Sequence, residues 1–527
     1  MKEIIVAKTT DLRDGQMQQI PVDDSQILLA KINGKFYATG AFCTHYGAPL
    51  AKGVLHEERV VCPWHHACFN LTNGNLKEPP ALNDLPSFAV RIEGENVLVQ
   101  IPKEIPDGCT PTMVDYDSED KRVFVIIGAG AGGSIAAETL RQQGFQGKIV
   151  LISQEANLPY DRTKLSKNYL QGKASEDSLP LRSCEFYQEH DIELRFGQAV
   201  TKVDTFTKTI TLADNSTLPY DALLLATGGK ARKLNIPGSD LDHVFTLRQV
   251  EDAQDILKTV KQAKKAVVIG SSFIGMEAAA SLRQQGIEVT VVSPSSVPFA
   301  KILGEEVGKM FQQLHQEKGV TFYLKTKVTE LQGDGKVETV VLDNGEQIDT
   351  DLVIVGIGVE PITDYLTGVE LAEDHSIPVS EYLQAAAPDL YAAGDIATFP
   401  YAPMGKPTRI EHWRLAAQHG RTAAYNMVNP RPIKFDAIPF FWSGQYDLKL
   451  RYVGHATEWD QIALDGDLKK QEFLAFYVKD DRILAVAGCG RDQDIAAIAK
   501  LMSLNQMPDA DQIHSTDWVE KLKTINN

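Results

Sequence analysis

Two short stretches near the start of the chain combine cysteine with histidine. Cys43 and His45 stand in CTHYGAPL, and Cys62 and His65 stand in CPWH. Thiolate sulfur and imidazole nitrogen both bind metals, so a zinc ion, an iron–sulfur cluster, a disulfide and a buried group of side chains compete as interpretations. Two loops that each carry one cysteine and one histidine can converge on one metal site.

The order of these residues helps to distinguish a zinc site from an iron–sulfur cluster. Zinc modules usually space their ligands C-x2-4-C and H-x3-5-H, whereas cysteine and histidine alternate along this chain. In a [2Fe–2S] centre of mixed ligation, one iron takes two cysteines and the other takes two histidines, so each loop supplies one ligand to each iron. The spacing therefore favours a [2Fe–2S] cluster, with zinc as the main alternative.

The same stretches resemble the Rieske family, through C-T-H-x-G-A-P-L and C-P-W-H, over roughly the first hundred residues. The resemblance implies four cluster ligands: Cys43, His45, Cys62 and His65. His66 departs from the family, which commonly has glycine after the second ligand histidine, and it either competes for iron or faces solvent. Cys68 is interpreted as a small buried residue near the cluster.

The cluster is expected to have a low reduction potential. High-potential Rieske proteins join their cluster loops with a disulfide, but the matching positions here are Ala48 and Trp64. They also place two hydroxyl donors beside the cluster, where this chain has Ala67 and Phe69. Without those donors the potential shifts towards the roughly −150 mV end of the Rieske range. A flavoenzyme that draws on NAD(P)H can reduce such a cluster.

A glycine-rich turn follows later, in RVFVIIGAGAGGSIAAETLRQQG, before the strand-like run KIVLISQE. Gly128, Gly130 and Gly133 fit G-x-G-x-x-G, whose glycines allow a tight turn, a close approach to a pyrophosphate and helix–strand packing. Glu155, at the end of the next strand, can accept from a ribose hydroxyl. This βαβ unit predicts a dinucleotide-binding domain.

A second βαβ unit, KAVVIGSSFIGMEAAASLRQQG followed by EVTVVSPS, departs from that pattern. Gly270 and Gly275 are present, but Ser272 replaces the middle glycine and crowds the pyrophosphate. Ser293 stands where an acidic residue would reject a 2′-phosphate, so both NADH and NADPH remain open as donors. Further positions match the pyridine-nucleotide domain of flavoprotein reductases: Glu277, Gly356 and Gly358.

The stretches LPYDRTKLSK, LLLATGG and YAAGDIATFP resemble the FAD-binding pattern of flavoprotein reductases, especially ferredoxin reductases of oxygenase systems and apoptosis-inducing factor. The resemblance implies that Arg162 and Lys167 approach the flavin and that Asp395 holds its ribityl chain. It also implies contacts with the cofactor from Val200, Arg248, Glu411, His412, Trp413 and Trp442. No C-x4-C pair is present for thiol–disulfide exchange, so electrons must leave the flavin by another route.

The elements around these motifs predict a multidomain fold. An all-β Rieske domain precedes two α/β dinucleotide-binding domains, which are Rossmann-like and of the glutathione-reductase type, and a C-terminal α+β module. The predicted limits are 1–103 for the Rieske domain, 104–121 for a linker, 122–247 and 376–431 for the FAD-binding domain, 248–375 for the NAD(P)H-binding domain, and 432–527 for the C-terminal reductase module.

Composition narrows the class of protein. A net charge of −17 over 527 residues argues against nucleic-acid binding, which needs a basic face. No stretch approaches the ~20 apolar residues that cross a bilayer, and no signal segment is seen. Six cysteines in 527 residues are sparse, and three of them fall between residues 43 and 68, which argues against a secreted disulfide scaffold, so we expect a cytoplasmic protein, either a monomer or a homodimer.

Taken whole, the chain resembles the apoptosis-inducing-factor-like proteins with an N-terminal Rieske domain. The family implies an NAD(P)H:acceptor oxidoreductase in which hydride passes to FAD and single electrons pass to the cluster, then to an acceptor such as an oxygenase or a cytochrome. A redox-controlled binding or assembly protein, with slow NADH oxidation and a long-lived charge-transfer complex, is the alternative. A third hypothesis is an oxidase that reduces O₂ or peroxide at the flavin.

Overall fold

A computed structural model describes residues 1–525 of the chain. The N-terminal part is built from short antiparallel strands: β1 (Lys2–Lys8), β2 (Gln16–Val22), β3 (Ser25–Ile32), β4 (Lys35–Gly40), β5 (Val54–His56), β6 (Arg59–Val61), β7 (Cys68–Asn70), β8 (Leu76–Glu78), β9 (Ser87–Phe88), β10 (Val90–Glu93) and β11 (Asn96–Ile101). They form three sheets with the orders β1-β11-β10, β2-β3-β4-β9 and β5-β6-β7-β8. One cysteine–histidine motif follows β4, and the other connects β6 to β7.

The next segment alternates strands with helices: β12 (Val123–Ile127), α1 (Ala131–Gln142), β13 (Lys148–Ser153), α2 (Cys184–Glu189), β14 (Ile192–Phe196), β15 (Val200–Asp204), β16 (Thr209–Leu212), β17 (Thr217–Pro219), β18 (Ala222–Leu225) and β19 (Gly229–Ala231). A second alternation follows: β20 (Val244–Phe245), α3 (Val250–Val260), β21 (Lys265–Ile269), α4 (Phe273–Gln284), β22 (Glu288–Ser293), α5 (Ala300–Glu317), β23 (Thr321–Leu324), β24 (Val328–Gln332), β25 (Thr339–Leu342), β26 (Gln347–Asp349), β27 (Leu352–Val355) and β28 (Val359–Pro361).

The chain then returns to the first α/β unit through short strands and a long helix: β29 (Leu366–Thr367), β30 (Ile377–Pro378), β31 (Leu390–Ala392), β32 (Ala397–Tyr401), β33 (Lys406–Thr408) and α6 (Trp413–Val428). Strand β31 completes a five-stranded parallel sheet of order β14-β13-β12-β18-β31, although the second unit separates it from β18 in sequence. The second unit has its own parallel sheet, β20-β27-β21-β22-β23. Continuous apolar runs such as VFVII in β12 and ALLL in β18 form buried strands, because helices cover both faces of a parallel sheet.

The last part is an antiparallel sheet with two helices: β34 (Phe440–Gln445), β35 (Leu448–Gly454), β36 (Gln461–Asp467), β37 (Glu472–Lys479), β38 (Arg482–Cys489), α7 (Asp492–Ser503) and α8 (Trp518–Ile525). The strand order is β34-β35-β38-β37-β36. Phe440 and Trp518 share an apolar core with Val54 of the N-terminal part, so the two ends of the chain pack together. Among residues 1–525, no helix combines the length and the apolar character that a membrane crossing requires.

Candidate functional site

A cavity of about 830 Å³ lies where both glycine-rich turns face β34. This volume lies within the usual range of ligand pockets. The cavity brings together most of the predicted cofactor contacts: Gly128, Gly130, Glu155, Arg162, Lys167, Val200, Arg248, Glu277, Gly356, Gly358, Asp395, Glu411, His412, Trp413 and Trp442. Three predicted glycines, Gly133, Gly270 and Gly275, do not line it.

The glycine-rich turns are shaped by close backbone approaches. Gly128 has a φ of 103°, and a Cβ added there would lie 2.2 Å from the carbonyl oxygen of Ala226. A Cβ on Gly133 would lie 1.8 Å from the carbonyl oxygen of Gly128, and one on Gly275 would lie 2.4 Å from that of Gly270. Gly133 and Gly275 therefore allow the helices to pack against the turns, whereas Gly128 shapes the turn in the cavity wall.

Helices α1 and α4 point their N-termini at the cavity. Gly130 precedes α1 and Ser272 precedes α4, and both residues line the cavity. Within the described chain, neither helix receives a side-chain N-cap hydrogen bond. Free backbone N–H groups and the positive end of the helix dipole suit a pyrophosphate. The turns therefore fit two dinucleotides.

Charged side chains in the cavity wall are linked by a network of hydrogen bonds. Arg162 donates to Glu155 across 2.7 Å and also to the carbonyl oxygen of Arg248. Tyr160 donates to the second oxygen of Glu155 at 2.6 Å. Arg248 in turn donates to Asp395 at 2.8 Å. Each carboxylate oxygen keeps a free lone pair, so Glu155 and Asp395 can still accept hydroxyl donors from a ligand.

A buried ion pair joins three parts of the chain inside the cavity. Lys167 donates to Oε2 of Glu277 at 2.7 Å, and Glu277 is only 3% exposed. Ser166 donates to the same oxygen at 2.5 Å, and Ser443 of β34 donates to Oε1 at 2.7 Å. The carboxylate is thus fully satisfied, which a buried charge requires. The pair fixes the Lys167 ammonium in the wall of the cavity.

The cysteines and histidines predicted as metal ligands come together as two pairs. The thiols of Cys43 and Cys62 share a hydrogen bond that raises the pKa of Cys43 and lowers the pKa of Cys62. The Nδ1 atoms of His45 and His65 are 3.2 Å apart. Burial lowers the pKa of His45 to about 4 and lowers the pKa of His65 well below its ordinary value. Both imidazoles are therefore neutral at pH 7, as metal ligation requires.

The pairwise arrangement bears on the identity of the metal. Within residues 1–525, no group of three or more histidine, cysteine, aspartate or glutamate side chains surrounds a single metal position. A tetrahedral zinc site needs four donors around one ion, whereas a [2Fe–2S] cluster of mixed ligation needs two sulfurs at one iron and two nitrogens at the other. One pair of sulfurs and one pair of nitrogens match the donor set of the binuclear cluster.

Trp442 connects this metal site to the cavity. Its ring centroid lies 4.4 Å from the ring of His65 and 6.2 Å from that of His45, and the same side chain lines the cavity. Tyr46, stacked on His45 with centroids 3.9 Å apart, donates to Asp161, which immediately precedes Arg162. The two histidines are therefore half-buried against the cavity wall.

Three family models match successive parts of the chain. Residues 122–420 match the pyridine nucleotide-disulphide oxidoreductase family, residues 2–89 match the Rieske [2Fe-2S] domain, and residues 440–525 match the reductase C-terminal family. The chain belongs to the pyridine nucleotide-disulphide oxidoreductase family. It joins that family's domains to a Rieske domain and a reductase C-terminal domain, so its cofactors are FAD, NAD(P)H and a [2Fe–2S] cluster.

Known relatives agree with this membership. Apoptosis-inducing factor 3 of Homo sapiens is 38% identical over 95% of this chain and 84% of its own length. Rhodocoxin reductase of Rhodococcus erythropolis is 33% identical over 76% of this chain and 93% of its own. The crystal structure of the covalent putidaredoxin reductase–putidaredoxin complex matches with a TM-score of 0.73 and 30% identity over 76% of this chain and 98% of that chain. The predicted fold class and the predicted NAD(P)H oxidoreductase are confirmed.

His66 differs from its sequence-based interpretation. It is 3% exposed, so the hypothesis that it faces solvent is wrong. Its φ of 57° explains why glycine is common at this position in the Rieske family. The ring stacks on Phe440 with centroids 3.7 Å apart, whereas the rings of His45 and His65 contact each other. His66 therefore packs the Rieske domain against the C-terminal module.

Replacing His66 with glycine should leave the cluster spectra unchanged, since the ring lies on Phe440. Glycine adopts a positive φ freely, and the lost stacking costs about 0.5–1.5 kcal/mol of stability. Electron paramagnetic resonance of the reduced cluster measures the outcome, and a His65→Gly variant, which should lose the signal, is the matched control. Altered g values in His66→Gly would show that His66 touches the iron.

Two serines of the second unit are placed differently from each other. Ser272 lines the cavity directly before α4, where a ligand would pass it. Ser293 is buried and accepts a hydrogen bond from Ser271 at 2.8 Å. Neither side chain carries a charge that would accept the ribose hydroxyls of NADH or bind the 2′-phosphate of NADPH.

Sequence reasoning missed several residues that join the Rieske domain to the reductase. Arg414 is buried and donates to the carbonyl oxygens of Pro79 and His66, each at 3.0 Å. Arg182 donates to Asn83 at 2.6 Å. Arg414 directly follows the tryptophan of IEHW, a motif already expected at the flavin. That position was the sequence feature that could have identified Arg414.

Proposed function

We propose that this chain is a self-contained reductase that passes electrons from NAD(P)H through FAD to its own Rieske cluster and then to an external one-electron acceptor. The observation that carries the proposal is Trp442, whose side chain lines the cofactor cavity and contacts His65 and His45. One side chain thus spans the distance between the two redox sites. The domain limits and cofactor contacts predicted from the sequence are part of this proposal.

The chain's own residues supply binding, orientation and charge. When bound, FAD accepts a hydride and releases single electrons, and the cluster carries one electron at a time. The N-terminal ends of α1 and α4 bind the two pyrophosphates, and Asp395 accepts from hydroxyl groups. Lys167 presents a positive charge beside the site of hydride transfer, where Glu277 holds it in place. Hydride transfer itself needs no protein base.

The Rieske domain excludes water from the metal site as it packs on the reductase. Leu82 packs with Trp413 in an apolar contact, and Trp442 covers His65. The names of related chains, such as putidaredoxin reductase of Pseudomonas putida, describe reductases of separate electron carriers. We infer that the attached domain takes the carrier's role here, and that an oxygenase or a cytochrome accepts the electrons from it.

Anaerobic addition of NADH should bleach both the flavin and the Rieske absorbance bands. A Trp442→Leu variant should bleach its flavin band at the wild-type rate but its cluster band about 10-fold more slowly, because the contact with His65 is lost. Trp459→Leu is the matched control, since Trp459 packs on Tyr477 in the same C-terminal module. A cluster that stays oxidised in the wild-type protein over many turnovers would show that the internal relay is wrong.

A further inference from the structure

The two faces of the C-terminal sheet contact different parts of the molecule. Along β34, Phe441 stacks on His412 and Ser443 donates to Glu277, so these two side chains point to one face of the sheet. Phe440 and Trp442, which point to the opposite face, pack against histidines of the Rieske domain. Side chains alternate along a strand, so one strand contacts the nucleotide side and the cluster side at once.

Arg451 lies on the face that contacts the cluster loops. It is the antiparallel partner of Trp442 in the pairing of β34 with β35, and partnered residues point to the same face. Its positive charge acts electrostatically on both Cys62 and His65. Because Trp442 contacts His65, the Arg451 guanidinium comes from the face of the sheet that packs on the predicted cluster ligands.

The surroundings of Arg451 leave its charge only partly compensated. The residue is 4% exposed, donates to the carbonyl oxygen of Lys449 at 3.1 Å and pairs with Asp492 at 3.2 Å. Its Nε has no hydrogen-bond partner within the described chain. A buried donor without a partner is costly, which points to an acceptor that the protein atoms alone do not supply.

A second guanidinium approaches from the flavin side. Arg414 is buried, donates to the carbonyl oxygen of His66 and lies 4.0 Å from Glu78. Cys62 and Cys68 act electrostatically on it. Both arginines belong to the reductase part of the chain. The Rieske domain itself offers no hydroxyl donors at the two positions that carry them in high-potential proteins, because those positions are Ala67 and Phe69.

We propose that Arg451, supported by Arg414, raises the reduction potential of the cluster, so that the docked reductase sets the potential of its own electron acceptor. Reduction adds one negative charge to the cluster, and a buried guanidinium stabilises that charge more strongly than a solvated one would. The inference rests on the assignment of Cys43, His45, Cys62 and His65 as ligands, and it does not require the relay from NADH.

The test is a dye-mediated redox titration of the full-length protein, followed by electron paramagnetic resonance of the reduced cluster and without NADH. Arg451→Met should lower the equilibrium constant for one-electron reduction about tenfold, which is 59 mV. Asp492→Asn should move the potential upwards, because it removes the charge that offsets Arg451. Lys449→Met is the matched control for charge exposure: its positive charge lies on the same strand and also helps to lower the pKa of His65, but it is exposed and screened by solvent, so its loss should shift the constant less than threefold.

Arg451→Lys separates charge from packing, since it keeps the positive charge and should remain within threefold of the wild-type constant. An Arg451→Met protein within threefold of wild type, or an Asp492→Asn protein that shifts downwards, would overturn the proposal. If the Arg451→Met protein does not retain the cluster, the potentials of Asp492→Asn and Arg451→Lys test the proposal instead. The mediator dyes reduce the cluster directly, so a failed relay from NADH leaves these results unaffected.

Discussion

A Cys62→Ala variant should keep FAD and be reduced by NADH, yet reduce cytochrome c at least about 100-fold more slowly than the wild-type protein. Loss of one ligand removes the cluster, and cytochrome c is too large to enter the cavity and meet the flavin. Steady-state cytochrome c reduction measures the effect, and the missing Rieske absorbance reports the loss of the cluster.

Cys68→Ala is the matched control for that experiment. Cys68 is buried at the start of β7, and burial raises the pKa of its thiol to about 11, so it is an inert neighbour. This variant should keep both the cluster and the rate. An oxidase that reduces O₂ or peroxide at the flavin would keep its activity in Cys62→Ala. A redox-controlled binding protein would oxidise NADH slowly in every variant and change its oligomeric size with NADH.

Lys167→Met should slow the bleaching of the flavin band by NADH about 100-fold. The ammonium is held in the cavity wall by Glu277, and a charge placed beside the reacting atoms is worth roughly 10²–10³ in rate. The change also leaves Glu277 as an unpaired buried carboxylate, which destabilises the fold by about 3–5 kcal/mol. Anaerobic stopped-flow absorbance measures the rate, and chemical denaturation measures the stability.

The double variant Lys167→Met with Glu277→Gln separates the two effects. A neutral amide at position 277 removes the unpaired charge, its oxygen can accept from one of the two serine hydroxyls, and its NH2 group can donate to the other, so stability should recover. The rate should stay low, because the positive charge is still missing. Recovery of both quantities would mean that the ion pair only stabilises the fold and does not contribute to hydride transfer.

The expected potential of the cluster now rests on two opposing features. Ala67 and Phe69 offer no hydroxyl donors, which predicts a low potential from the sequence. Arg451 and Arg414 bring positive charge to the cluster from outside the Rieske domain, which acts in the opposite direction. A chain that carries its own acceptor can therefore adjust the potential through the packing of its domains.

The sequence by itself determined the chemistry of each motif. Cys43, His45, Cys62 and His65 stand in short loops, and their order favoured mixed ligation of a binuclear cluster over zinc. The glycines that follow β12 and β21 indicated two dinucleotide sites, because a tight turn and a close helix approach impose steric limits that only nearby residues set. Such features are local, so a single sequence reveals them.

Only the tertiary structure decided how the redox sites meet. Trp442 was predicted beside the flavin, but its contact with His65 joins distant parts of the chain. Arg451 and the burial of His66 against Phe440 went unnoticed for the same reason. Contacts between domains depend on how whole surfaces fit together. The spacing and periodicity of residues within one segment do not specify which distant surface packs against that segment.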